Sequence, residues 1–486
     1  SGSHTLLGAD IDGEAVQDYS GHSVSFSSDG SRVAIGAYAN DGGGTDSGHV
    51  RIYDYNGSAW VQIGSDINGE AGSDYFGFSV SLSSDGSRVA IGGYLNDGNG
   101  TNSGHVRIYQ FNNNSWSQLG ADINGEASND NSGHSVSLSS DGSRVAIGAL
   151  RNDGGGTDSG HVRIYDYNGS AWVQIGSDIN GEATDDRSGY SVSLSSDGSI
   201  VAVGAYNNDG AGNNSGHVRI YQYNNNSWSQ LGADINGETG NDYSGRSVSL
   251  SSDGSRVAIG ALSNDGAGNN SGHVRIYQYN NNSWSQLGAD IDGEAAGDSS
   301  HKVSLSSDGS RVAIGAEGND GGGTDSGHVR IYDYNGSAWV QVGADIDGEA
   351  ADDRSGVSVS LSSDGRRVAI GAHLNDGNGN RSGHVRIYSL PRGESYQYSW
   401  NVSSTLSDGD YQVTVAGADL AGNAYSGTDS ITFTLDTTAP TVTLTDTDAD
   451  NLVSTSEVVT ITAGFSEAMT ATPTISITGI VSSVIM

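Results

Sequence analysis

The chain has 486 residues and a formal net charge of −37, from 58 acidic and 21 basic residues. Such a surface repels nucleic acid and anionic lipid, which excludes both as natural partners. The absence of cysteine excludes disulfides and thiolate chemistry, and no apolar run is long enough for a membrane-spanning helix, so no membrane insertion is expected. Glycine is abundant and proline scarce, but β-branched and aromatic residues recur at fixed intervals, which points to a turn-rich β protein rather than a disordered one.

The N-terminal segment "HTLLGADIDGEA" begins at His4 and aligns with "SWSQLGADINGEA" further on. After it, a unit of 56 residues repeats seven times, marked by the histidines of "GHVRIY" at His49, His105, His161, His217, His273, His328 and His384. One interval, from His273 to His328, is a residue short. Each unit holds four alternating or apolar runs bounded by Gly, Asn, Asp and Ser: "HSVSLS", "RVAIGA", "HVRIY" and "WVQIGSDI". Four antiparallel strands repeated seven times predict an all-β, seven-bladed β-propeller over residues 1–390. The seventh unit lacks its fourth strand, and residues His4 to Asp12 supply it. The N-terminal strand would thus close the ring and remove two exposed sheet edges.

The stretch "FGFSVSLSSDGSRVAIGG", Phe76 to Gly93, resembles the FG-GAP repeat of integrin alpha-chain propellers and their bacterial relatives. Phe76-Gly77 matches the "FG" element and Ile91–Gly93 the "GAP" element without its proline. The resemblance implies an extracellular propeller that binds a ligand. Relatives often carry a DxDxDG calcium loop between the first two strands; here that turn reads "SSDGSR", so calcium is not carried over to it.

From about Ser395 the composition shifts to Thr, Ser, Val and Asp. This part resembles bacterial Ig-like repeats of large surface adhesins, with "LDTTAP" (Leu435–Pro440) as a junction. Residues 391–437 resemble the second half of one unit and 438–486 the first half of another. Each half is too short to bury a sandwich core alone, so the two are expected to pair as a permuted Ig-like β-sandwich, or to await further strands. The chain reads as a piece of a larger protein. Asp446, Asp448 and Asp450 of "DTDADN" alternate like the start of a calcium loop.

An up-and-down blade sends successive connections to opposite ends. The strand 2–3 loop "NDGGGTDSG" and the inter-blade loop "NGEAxxD" therefore share one face, and the other two turns share the opposite face. The first face carries three rings of acid, of which Asp41, Glu14 and Asp18 are the first members. Turn chemistry explains such residues, since Asp bonds to nearby backbone. The alternative is calcium, with Asp41 and Asp46 as ligands, although the Asp46 position becomes Asn102 or Arg381 elsewhere. The "GHVRIY" histidines, each beside an Arg at the same position, read as packing and hydrogen-bonding residues rather than metal ligands.

The repeats differ from one another mainly on this first face. After "SG" they show His22, Phe78, His134, Tyr190, Arg246, His301 and Val357. After "IG(A/G)" they show Tyr38, Tyr94, Leu150, Tyr206, Leu262, Glu317 and His373. A face varied in aromatic, His, Arg and acidic residues is a candidate binding face. The expected role is a non-enzymatic adhesion module of a bacterial surface or secreted protein, monomeric, whose partner is a glycan, protein or surface ligand. The competing roles are a spacer without ligand and a carbohydrate-active enzyme. The asymmetric cluster that an enzyme would need is His301, Lys302, Glu317 and His373.

Overall fold

The computed structural model describes residues 4–391 continuously, and in the C-terminal part only short stretches between 409 and 485. Residues 1–395 and 396–486 form two separate units. In the first, seven antiparallel sheets repeat one plan. In the third blade, Ser132–Leu138 pairs with Arg144–Ala149, which pairs with His161–Tyr167. The last of these pairs with Trp172–Gln174 and, beyond a break, with Ile179–Asn180.

The fourth strand, expected as one run, is thus split in two in every blade. The break falls at a glycine in the left-handed region, such as Gly64 at φ 67°, where most side chains would be strained. Over that kink packs the tryptophan of the next blade. The Trp116 indole N–H donates to the Ile63 carbonyl at 3.1 Å, and Trp172 to Leu119 at 2.8 Å. The break therefore makes an inter-blade joint.

The first strand of each blade is innermost, packed against the first strands of its neighbours. Alternation puts Val, Ile and Ala of the second and third strands between blades. One buried cluster joins Ala90, Val106 and Ile108 of the second blade to Val145, Ile147 and Tyr165 of the third. The signature glycines mark where blades touch: a Cβ on Gly92 would run into the carbonyl of Gly133 in the next blade.

Closure is visible in two places. Thr5–Leu6 pairs with Tyr388–Ser389, and Ile11–Asp12 pairs with His384–Val385, so the N-terminal strand completes the seventh blade. On the face of the strand 1–2 turns, each blade also donates one backbone N–H to the next. Ser28 donates to Ser84, and the series runs through Ser140, Ser196, Ser252, Ser307 and Ser363 back to Ser28, at 2.7–2.8 Å. A leucine or Phe26 from each blade backs this ring. The serines of these turns are the same in all seven blades because each must match both neighbours.

In the second unit, three strand pairs are described: Gly409–Thr414 with Ser430–Leu435, Val442–Asp446 with Ile461–Phe465, and Thr474–Ile475 with Val484–Ile485. The first lies within residues 391–437 and the others within 438–486. Among the described residues, no strand of one half pairs with a strand of the other, and these three pairs do not by themselves show an Ig-like sandwich. Asp446 ends a strand, while Asp448 and Asp450 lie outside the described residues. No described helix is long and apolar enough to cross a membrane.

Candidate functional site at the channel mouth

The acidic loops come first, because they frame the mouth. The inner ring is buried turn chemistry. Asp18 is 3% exposed; its Oδ2 accepts the Ala15 N–H at 2.9 Å and the Asn40 amide at 3.0 Å. Asp74, Asp130, Asp186, Asp242, Asp298 and Asp353 repeat the pairing with the asparagine. Asp41 accepts the Asp46 N–H at 2.8 Å, spanning the glycine loop. The partner contributes its backbone, in the left-handed region at φ 54°, which is why Asn102 and Arg381 serve as well. Asp41 and the Asp46 backbone N–H thereby close the glycine loop.

The Glu ring behaves differently. Glu14 lies beside His49 of "GHVRIY", with Asp66 on the other side, at 3.9 and 3.8 Å from Nδ1. The ligand-type atoms of each such group lie within 4.8 Å of one another, and the grouping recurs around the propeller. His49 is 1% exposed, and burial holds its pKa down to about 4, the Arg51 guanidinium acting in the same direction. Arg51 also lies 3.7 Å from Glu14, so each cluster already contains a cation. The sequence reads these histidines as packing and hydrogen-bonding residues rather than metal ligands. The near-constant spacing between each Glu and the His of the following unit, one residue shorter only in the sixth blade, was the signal that could have joined them.

The varied positions converge. They ring one end of the central channel, around a cavity of about 290 Å³ lined by His22, Phe78, His134, Tyr190, Arg246, Lys302 and Val357. Their side chains project inward because each sits at the start of an innermost strand. In four blades these side chains touch in series. Ring centroids are 4.5 Å apart for His22–Phe78, 5.0 Å for Phe78–His134 and 4.6 Å for His134–Tyr190. A second tier, from the ends of the second strands, backs the first: Tyr38 on His22 at 4.8 Å, Tyr94 on Phe78 at 4.5 Å and Tyr206 on Tyr190 at 4.5 Å. His373 closes the tier beside His22 at 5.5 Å. Tyr19, whose position was not singled out in the sequence, stacks on Tyr38 at 5.3 Å.

The opposite arc of the mouth is charged. The Arg246 guanidinium lies over Tyr190 and Tyr206, at 5.1 and 5.2 Å. Lys302 follows, with Glu317 acting on it electrostatically. This corrects the placement of His301. In other blades two residues, such as Gly133 and His134, bulge between the paired serines Ser132 and Ser135. The sixth blade is one residue short, and only His301 occupies the bulge, between Ser300 and Lys302. His301 is therefore 1% exposed within the wall, its Nδ1–H donating to the Ser299 carbonyl at 2.7 Å. Lys302 lines the channel instead.

Burial sets the protonation states at the mouth. It pushes His134 down to about 3 and His373 to about 4, and holds His22 and His301 well below the usual range. These imidazoles are neutral at pH 7 and serve as aromatic surface. Burial likewise raises Tyr94 to about 12. Lys302 is lowered first by desolvation, against the attraction of Glu317.

Three segments, residues 68–109, 180–221 and 345–388, match the FG-GAP repeat family model. No curated protein matches the chain. Among solved structures, hydrazine synthase of Kuenenia stuttgartiensis aligns at 12% identity and a TM-score of 0.49, over 79% of this chain and 97% of that one. A chain of the mitotic checkpoint complex aligns at 15% and 0.49, over 79% and 92%. A putative 6-phosphogluconolactonase from Bacteroides uniformis aligns at 12% and 0.47, over 70% and 88%. The chain carries FG-GAP repeats, folded as a seven-bladed β-propeller of four-stranded antiparallel blades.

Proposed function

We propose that the propeller is a non-enzymatic binding module of a large extracellular bacterial protein, and that it holds its ligand at the mouth of the central channel. One observation supports this above others. The positions at which the blades differ ring one cavity, with side chains touching in series along one arc, while the opposite mouth is a uniform hydrogen-bonded ring of serines. Drift alone would scatter differences over all exposed loops. Half-buried aromatic rings around a concavity are the anchors that binding sites use. The FG-GAP repeats, typical of extracellular proteins, support the extracellular and adhesive part of this reading.

The test is binding to glycan arrays and to cells by the isolated propeller, with Phe78→Ala, Tyr94→Ala and Tyr190→Ala variants checked for folding by melting curves. Loss of a detected interaction in the variants supports the mouth. An interaction that survives all three variants refutes it.

A catalytic reading has one observation in its favour, the electrostatic pull of Glu317 on Lys302 at the channel mouth. Turnover of a bound saccharide, abolished in Lys302→Met, would favour it over binding alone.

A further inference from the structure

We propose that the mouth takes an acidic saccharide, with Lys302 and Arg246 holding its carboxylate and the aromatic arc stacking on its pyranose face. This rests on the reading of the mouth as a binding site and names the ligand class.

Lys302 is the only lysine in a chain of net charge −37. It reaches the channel because the sixth blade departs from the repeat. It takes the register position held elsewhere by a serine such as Ser135, pairing with Gly315 as Ser135 pairs with Gly148. That serine hydroxyl normally donates to the glycine carbonyl of the next blade, as Ser135 does to Gly189 at 2.8 Å. The sixth blade gives up this inter-blade bond and gains a cation in the channel.

The neighbouring blade supplies the second cation. Arg246 occupies the position of His134 and Tyr190, and both cations line the same cavity. Among the described residues, neither Lys302 nor Arg246 has a carboxylate oxygen within the 4.0 Å of an ion pair. Arg32 and Arg144, by contrast, are held by Asp54 and Asp166 at 2.6 Å. A half-buried cation without a counter-ion is unfavourable relative to a paired one. Two of them side by side repel each other, and Arg246 adds to the lowering of the Lys302 pKa. A carboxylate placed between them relieves both terms, and a guanidinium offers it paired donors. Salt screens the acidic remainder of the surface beyond roughly 8 Å at physiological strength, so the local pair decides what binds.

The rest of the cavity selects a ring. His22, Phe78, His134 and Tyr190 present consecutive ring faces and edges, with the imidazoles neutral. Pyranose C–H faces stack on such surfaces, which combine apolar area with an electron-rich face. At about 290 Å³ the cavity lies at the lower end of small-ligand sites, roughly 300–1,000 Å³.

The experiment is calorimetric titration of the propeller with oligogalacturonate and sialyllactose, with neutral galacto-oligosaccharide, lactose and an oligo-glutamate peptide alongside. The expected result is binding of a carboxylated sugar at least tenfold tighter than its neutral counterpart. Lys302→Met and Arg246→Met should each lose at least tenfold while melting like the parent protein. The galacturonate and sialyl arms distinguish uronic from sialic acid as the source of the carboxylate. Binding of no sugar, equal binding of neutral and acidic sugars, or binding of oligo-glutamate alone would overturn the proposal. If a neutral ligand binds and is lost only in Phe78→Ala and Tyr190→Ala, the mouth remains the site and the acidic class falls. If an acidic sugar binds but those aromatic variants leave it unchanged, the mouth reading falls too.

Discussion

Ile11→Ala tests whether the N-terminal strand closes the propeller in solution. Ile11 is 6% exposed and packs with Phe26, Val33, Ile35 and Tyr53 of the first blade and with Ala369, Val385 and Ile387 of the seventh. The substitution removes three carbons. At about 0.8 kcal/mol per buried methylene the transfer loss is roughly 2.4 kcal/mol, and the cavity left behind brings the total into the range of about 2–5 kcal/mol. Ile179 is the internal control: it is 5% exposed and pairs with Val162 as Ile11 pairs with Val385. The two sites differ in connectivity. Ile179 is tied to its own blade by a short loop, whereas Ile11 is joined to its partner strand only through the whole ring. Urea unfolding should give both variants a similar loss of stability. Hydrogen exchange should then separate them, with His384–Tyr388 losing protection in Ile11→Ala before global unfolding, and no such early opening in Ile179→Ala. If Ile11→Ala costs less than about 1 kcal/mol while Ile179→Ala costs its full amount, the closure reasoning is wrong.

Acid should unfold the propeller through its histidines. His217, His273 and His373 have folded pKa values near 4, below the usual 6.5, chiefly from burial. A depressed folded pKa means that the unfolded chain takes up the proton first, so this stability is complete above pH 6.5 and is lost as pH falls towards 4. At pH 5 each residue forfeits roughly 2 kcal/mol, from 1.5 pH units at about 1.36 kcal/mol each. Unfolding free energies at pH 7, 6 and 5 should fall steeply, and less steeply in His273→Gln; a flat profile would contradict the assignment. The two aspartate rings should also separate. Asp130→Ala strips a buried acceptor from the Ala127 N–H and the Asn152 amide, and should cost about 3 kcal/mol. Asp153→Ala loses one exposed bond to the Asp158 N–H and should cost about 1 kcal/mol or less, so equal melting temperatures for the two would refute the distinction.

Much of the fold was legible because the repeat states it seven times. Four alternating runs per unit give four strands, and an orphan fourth strand at the N-terminus has one place to go. The break at Gly64 was not legible, since it depends on a tryptophan from the next blade. The opposed faces followed from strand count alone, and the candidate positions from Tyr38 to His373 from the differences between repeats on one of those faces. His301 was misplaced, because the shortened bulge of the sixth blade moves the register by one residue and exchanges it for Lys302. The meeting of Glu14 with His49 was likewise hidden, as the two lie 35 positions apart in the chain.

The sequence by itself determined the seven-bladed plan, the acidic surface, the turn residues and the face on which the blades differ. These rest on local periodicity and turn chemistry, which adjacent residues decide. Only the tertiary structure decided that residues from seven blades share one cavity, that its histidines are neutral, and that two cations stand in it with no described carboxylate within ion-pair distance. Those properties arise from packing around an axis, where burial and neighbours distant in the chain set the chemistry of each side chain.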